Sequence, residues 1–171
     1  VDVYAKAFFA KHVAWAAETG VTAGVDKTHF NPYGKCTRGQ IVTFLWRAAG
    51  QPTPSTSKNP FTDVPAGQWY TDAVLWAVES GITNGRTATT FAPDETCTRG
   101  EVVTFLWRFA GKPDVSGAAD PFNDLESERF YYDAVLWAVD AKITTGISAD
   151  TFGPGENCKR AQIVTFLFRY M

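Results

Sequence analysis

The sequence predicts a mainly α-helical protein built from three tandem helix-loop-helix units, and three observations predict it. The first is a period. Cys36, Cys97 and Cys158 stand 61 residues apart, and the same offset links Trp15 to Trp76 and Trp137, and Arg38 to Arg99 and Arg160. Between 63–109 and 124–170, 24 of 47 aligned positions are identical, without insertion. A fixed period of this kind marks a repeated supersecondary unit. The second observation is apolar spacing of helical type, twice in each unit. The third is a capping box before the second stripe, formed by Thr37 with Gln40 and by Thr98 with Glu101.

The elements follow in order. In the second unit Tyr70, Ala73, Val74, Ala77 and Val78 give the stripe of an amphipathic helix over 69–80. Gly81 is its stop. Lys142 holds that place in the third unit, so a weaker stop is expected there. A turn through Gly85 and a loop ending in Phe91-Ala92-Pro93 come next. The second helix opens at Thr98. Val102, Phe105, Leu106 and Phe109 line one face, and Val103, Trp107 and Ala110 a neighbouring one, so the helix is packed on two sides. Gly111 and Pro113 end it. Lys159 breaks the capping box in the third unit.

The units are assigned to 1–49, 60–110 and 121–171, with Pro-, Ser- and Gly-rich linkers at 50–59 and 111–120. The first reads as clipped, because the counterpart of Pro60-Phe61 would lie before Val1. Two short helices cannot bury so much aromatic surface alone, so the units are expected to share one core. Pseudo-threefold and linear solenoid packing both satisfy that need.

Composition excludes several functions. The chain has 171 residues and a formal net charge of −2, with no basic surplus for nucleic acid or an anionic membrane. No apolar run is long enough to span a bilayer. Two His make a His-based metal cluster unfavourable, and the Cys spacing holds no zinc motif. Each Cys reads as a small buried residue, with a reactive thiol or a three-thiolate site as alternatives. No catalytic motif appears, and residues recurring in every unit point to scaffold rather than enzyme. No cofactor is expected.

The informative position is Arg38, Arg99 and Arg160, at the first position of each second helix. A guanidinium beside free backbone N–H groups makes a receptor for carboxylate or phosphate. Pairing with an acidic residue of a neighbouring unit is the structural alternative. Gly39 and Gly100 at the next position would admit a close ligand. Gly24, Gly85 and Gly146 read as turn glycines needing positive φ, compatible with walling a sugar pocket. Trp15, Trp76 and Trp137 read as core. Trp69, at the start of a helix, reads as a core anchor or a stacking platform, with Phe8 and Phe130 at its equivalents.

Several segments resemble the S-layer homology domain family. They are Phe61-Thr62-Asp63-Val64, Trp69-Tyr70-Thr71-Asp72-Ala73-Val74, Gly81-Ile82-Thr83-Asn84-Gly85, Thr90-Phe91-Ala92-Pro93 and Cys97-Thr98-Arg99-Gly100-Glu101. The resemblance covers nearly the whole chain, three times over. It implies a pseudo-trimeric spindle around a central three-helix bundle, with one helix from each repeat. It implies non-covalent anchoring of an exported bacterial surface protein to a cell-wall glycan, typically a pyruvylated secondary polysaccharide bound in inter-repeat grooves. Carried across, Arg38, Arg99 and Arg160 would meet the ketal carboxylate. Gly24, Gly85 and Gly146 would shape the pocket with Asn84, and Gln40, Glu101 and Trp69 would join the site. The third groove is expected to depart most from the family's pattern, because its motif reads Lys159-Arg160-Ala161-Gln162. Modified peptidoglycan as ligand, or a protein-interaction module without glycan binding, are the other readings. The module is expected to act as a monomer at the cell surface, without membrane insertion.

Overall fold

A computed structural model describes residues 2–56 and 58–171. Among these residues the regular structure is six α-helices and no strand: α1 (Ala10–Glu18), α2 (Arg38–Ala48), α3 (Thr71–Glu79), α4 (Arg99–Phe109), α5 (Tyr132–Asp140) and α6 (Arg160–Tyr170). No helix among them is long and apolar enough to cross a membrane.

The second helix of each unit starts where its cap places it. Thr37 Oγ1 accepts from the Gln40 backbone, and Gln40 Oε1 accepts from the Thr37 backbone. Thr98 and Glu101 repeat both bonds. At Lys159 half of the box survives, since its backbone N–H still donates to Gln162 Oε1 at 2.9 Å. The first helices end as the glycines direct, in the left-handed region, with φ of 75° at Gly20 and 68° at Gly81. Lys142 adopts φ 58° at the same place, so the stop is kept at the expense of backbone strain.

Helix pairing crosses unit boundaries. Each first helix packs on the second helix of the preceding unit: α3 on α2, α5 on α4, and α1 on α6. The helix α4 also contacts both α2 and α6. First and last units therefore touch, which a linear solenoid would prevent. A ring of backbone bonds closes the arrangement. Cys36 N–H donates to Cys158 C=O, Cys97 to Cys36, and Cys158 to Cys97, at 2.8–2.9 Å. Such reciprocity is possible only where three equivalent strands of chain meet around one point.

The predicted stripes are buried. Ala73, Val74 and Ala77 are fully enclosed, as are Val102, Val103 and Leu106. Trp76 and Trp137 are in the core, and Trp15 packs partly buried against it. Recurring aspartates tie down the loops: Asp63 accepts from the backbone of Phe91 and Ala92, and Asp124 from Phe152 and Gly153. Asp2 does the same for Phe30 and Asn31, and the Phe30 bond above all holds its carboxyl below the usual range. These bonds give the recurrent acids the scaffold role their repetition suggested.

Candidate functional site

Three grooves lie between the units, each built from all three. The groove on α2 presents Gln40, Thr43, Phe44 and Arg47, spaced i, i+3, i+4 and i+7 on one helix face. The glycine turn of the same unit, Thr22 to Val25, forms one wall. Arg160 enters from the third unit and Trp69 from the second. The groove on α4 repeats this plan with Gly85, Glu101, Thr104 and Arg108, plus Arg38 from the first unit and Phe130 from the third. The groove on α6 has Gly146, Gln162, Thr165 and Arg169, with Arg99 and Phe8 from the other units. Their volumes are about 310, 190 and 160 Å³ in that order. We number them grooves 1, 2 and 3 after the helices α2, α4 and α6.

The inward Arg of each groove is held by a neighbouring unit. Arg38 Nε donates to Phe91 C=O at 2.8 Å, Arg99 to Phe152 at 2.9 Å, and Arg160 to Phe30 at 2.8 Å. Each guanidinium also lies over the ring of that same phenylalanine, at 4.7–4.9 Å from its centroid, which favours a cation there. All three residues are only 3% exposed. Burial pushes their pKa down, yet an arginine stays charged at neutral pH. In each, Nη2 is buried and has no hydrogen-bond partner. Arg38 has a distant ion pair, 3.8 Å to Glu101; Arg99 and Arg160 have none among the described residues.

The helix starts differ from the expectation that their N–H groups are free for an anion. Loop carbonyls of the next unit take them: Arg38 N–H donates to Glu95 and Gly39 N–H to Pro93, both at 2.8 Å. Arg99, Gly100, Arg160 and Ala161 repeat the pattern with Glu156, Pro154, Gly34 and Pro32. Likewise the close approach at Gly39 and Gly100 is to protein. A Cβ at Gly100 would sit 3.0 Å from the Tyr131 ring and 3.1 Å from Pro154 O. The N–H groups at these helix starts are thus satisfied within the protein, while Nη2 of each Arg is not.

The sequence matches the S-layer homology domain over residues 1–42, 60–103 and 121–164. The chain belongs to the S-layer homology domain family. It is 34% identical over 106 residues to the surface-layer 125 kDa protein of Lysinibacillus sphaericus, covering 60% of this chain and 9% of that protein. It is 31% identical over 110 residues to an endoglucanase of a Bacillus species, covering 64% of this chain and 11% of the enzyme. A cellulosome-anchoring protein of Acetivibrio thermocellus is 26% identical over 146 residues, covering 82% of this chain and 33% of that protein. The chain thus spans a third or less of these relatives.

Within these S-layer homology repeats, the structure brings most of the sequence candidates together in the grooves. Gly24, Gly85 and Gly146 have φ of 81°, 87° and 86°, and a Cβ at any of them would meet backbone oxygen at 2.5–2.8 Å. Their own turns require glycine, so the conformational reading accounts for them while the turns still form groove walls. Asn84 is exposed and stands outside the residues lining groove 2. Trp69 is 53% exposed with its ring edge-on to Tyr70, so it is not a core anchor. Phe8 and Phe130 are likewise exposed at grooves 3 and 2. The motif Arg beside Lys159 serves groove 1, because Arg160 crosses to the first unit. Gln162, Thr165 and Arg169 of the same helix line groove 3.

Sequence reasoning missed Arg47, Arg108 and Arg169. Their 61-residue recurrence, seven positions after Gln40, Glu101 and Gln162, was the available signal. Arg108 Nη1 donates to Ile82 C=O at 3.1 Å and Arg169 Nη1 to Ile143 C=O at 2.9 Å. The three Cys are fully buried and free. Burial pushes their thiols up, Cys158 to about 12, which makes them packing residues rather than nucleophiles.

Proposed function

We propose that this chain is a non-catalytic cell-wall anchoring module of a bacterial surface protein. It holds an anionic secondary wall polysaccharide, with a pyruvate ketal as the recognised charge, in the inter-repeat grooves. One observation carries the reading: a buried guanidinium with an unpaired Nη2 faces each groove. Proteins rarely leave a buried donor unmatched, and a carboxylate is the acceptor that matches a guanidinium in both charge and geometry. The exposed aromatic opposite supplies an apolar face for a sugar ring. The surface-layer and cellulosome-anchoring names of the relatives fit a location at the cell surface.

The test is co-sedimentation with purified cell walls before and after acid removes the ketal. Pelleting is expected to fall to background after removal. Unchanged pelleting would exclude the ketal. An Arg38→Met/Arg99→Met/Arg160→Met variant that is folded and still pellets fully would exclude these arginines.

A further inference from the structure

The three grooves share a plan but differ in the charged residues that line them. At the position of Glu101, groove 1 has Gln40 and groove 3 has Gln162. Glu101 is 8% exposed, and its Oε1 lies 2.6 Å from Arg86 Nη1 and 3.8 Å from Arg38 Nη1. That carboxylate lines the same groove as Arg38 and would repel a ligand carboxylate placed beside its guanidinium. Arg86 itself is bonded to Glu95 at 2.8 Å, and its equivalents Val25 and Ile147 carry no charge. A second difference lies in the loop whose carbonyl receives the Arg backbone N–H. That residue is Glu95 for Arg38 and Glu156 for Arg99, but Gly34 for Arg160. Asp2, Asp63 and Asp124 recur in all units and do not discriminate. Among the lining residues only groove 2 has a carboxylate, Glu101, and it also has a cation the others lack, Arg86, which Glu101 and Glu95 engage; the Glu95 and Glu156 side chains stand outside the groove linings.

Space and free donors run the same way. Groove 1 is the largest, at about 310 Å³. The Arg47 guanidinium has no partner among the described residues, whereas Arg108 and Arg169 are tied to backbone carbonyls. In groove 3 the Thr165 hydroxyl donates to Ala161 C=O and is approached by His12 Nδ1 at 3.0 Å. In groove 1 the equivalent Thr43 hydroxyl donates to Gly39 C=O in the same way, and the counterpart of His12 is Ala73, which has no polar side-chain group.

We propose that groove 1 is the principal site for a carboxylate-bearing sugar, bound by Arg160 and Arg47 against Trp69, and that Glu101 closes groove 2 to the same ligand. The inference rests on the anionic-glycan reading above and assigns it to one groove of three. Glu101 acts here as a selectivity residue.

The test is an NMR titration with a methyl hexoside bearing a pyruvate ketal, with its ethylidene acetal as uncharged control. The Trp69 indole N–H and Arg47 Nε–H report groove 1; Arg108 and Arg169 Nε–H report grooves 2 and 3. Groove 1 is expected to respond at a concentration at least about tenfold lower than groove 2, the scale of one nearby like charge. Glu101→Gln should bring the groove 2 response to within about threefold of groove 1. That variant keeps the cap, because Gln40 and Gln162 already make it. Groove 2 responding first or equally, or Glu101→Gln leaving it unchanged, would overturn the proposal while the glycan reading stands. Equal response to ketal and acetal, or none in any groove, would sink both.

Discussion

Arg160→Met separates a structural arginine from one kept for a ligand. The substitution keeps an unbranched stem against Phe30 and Phe44 and removes the charge. It loses the Nε bond to Phe30 C=O, about 1.5–3 kcal/mol for a charged donor. It also loses cation–π attraction of about 0.5–2 kcal/mol. Against this, a guanidinium that is 3% exposed and has no ion-pair partner among the described residues leaves the interior, and desolvation of such an ion costs several kcal/mol. The unmatched Nη2, about 1–3 kcal/mol, goes with it. These contributions oppose one another, so the net change is expected within about 2 kcal/mol of wild type. Affinity is different, because truncating one partner of a desolvated charge pair costs about 2–5 kcal/mol, roughly thirtyfold to several thousandfold. The assays are urea unfolding followed by tryptophan fluorescence, and wall binding of the folded variant. Destabilisation beyond about 4 kcal/mol, the range for breaking a structural buried pair, with wall affinity unchanged, would refute the reasoning.

Three further outcomes follow from the geometry. His12 is buried against Thr165, and burial first, then Lys11 and Arg169, lowers its pKa below 6.5. The unfolded state then binds the proton better, so stability falls as pH drops below about 6.5, and His12→Ala, the residue at both equivalent positions, should flatten the melting temperature between pH 7 and 5. Lys142→Gly removes a left-handed lysine and should stabilise the protein by about 1 kcal/mol, raising the melting temperature by about 2–4 °C in calorimetry. Cys36, Cys97 and Cys158 should resist iodoacetamide at pH 8 in the native state and give three adducts in urea, measured by mass spectrometry; rapid native labelling would contradict their burial.

The helices were legible because their signals are local. The capping boxes at Thr37 and Thr98 and the stripe from Tyr70 to Val78 depend only on residues three or four apart. The candidate arginines were visible through recurrence. Their surroundings were not, since the carbonyls that fix Arg38, Arg99 and Arg160 come from loops 53 or 130 residues distant. The same distance hid the fate of the helix N–H groups, which neighbouring loops consume. Arg47, Arg108 and Arg169 escaped notice because a basic residue in the last turn of a helix is ordinary by itself.

By itself the sequence determined the period, the six helices, their caps and the family, all of which depend on short-range order or on repetition. Tertiary structure alone decided that each first helix packs on the preceding unit, that three cysteine backbones close a ring, and that every groove draws on all three units. It also decided which arginine belongs to which groove, and so which of them shares its groove with Gln40, Glu101 or Gln162. The reason is physical: near-identical repeats carry near-identical local preferences, so only the shared core, closed around its axis, selects which copy meets which.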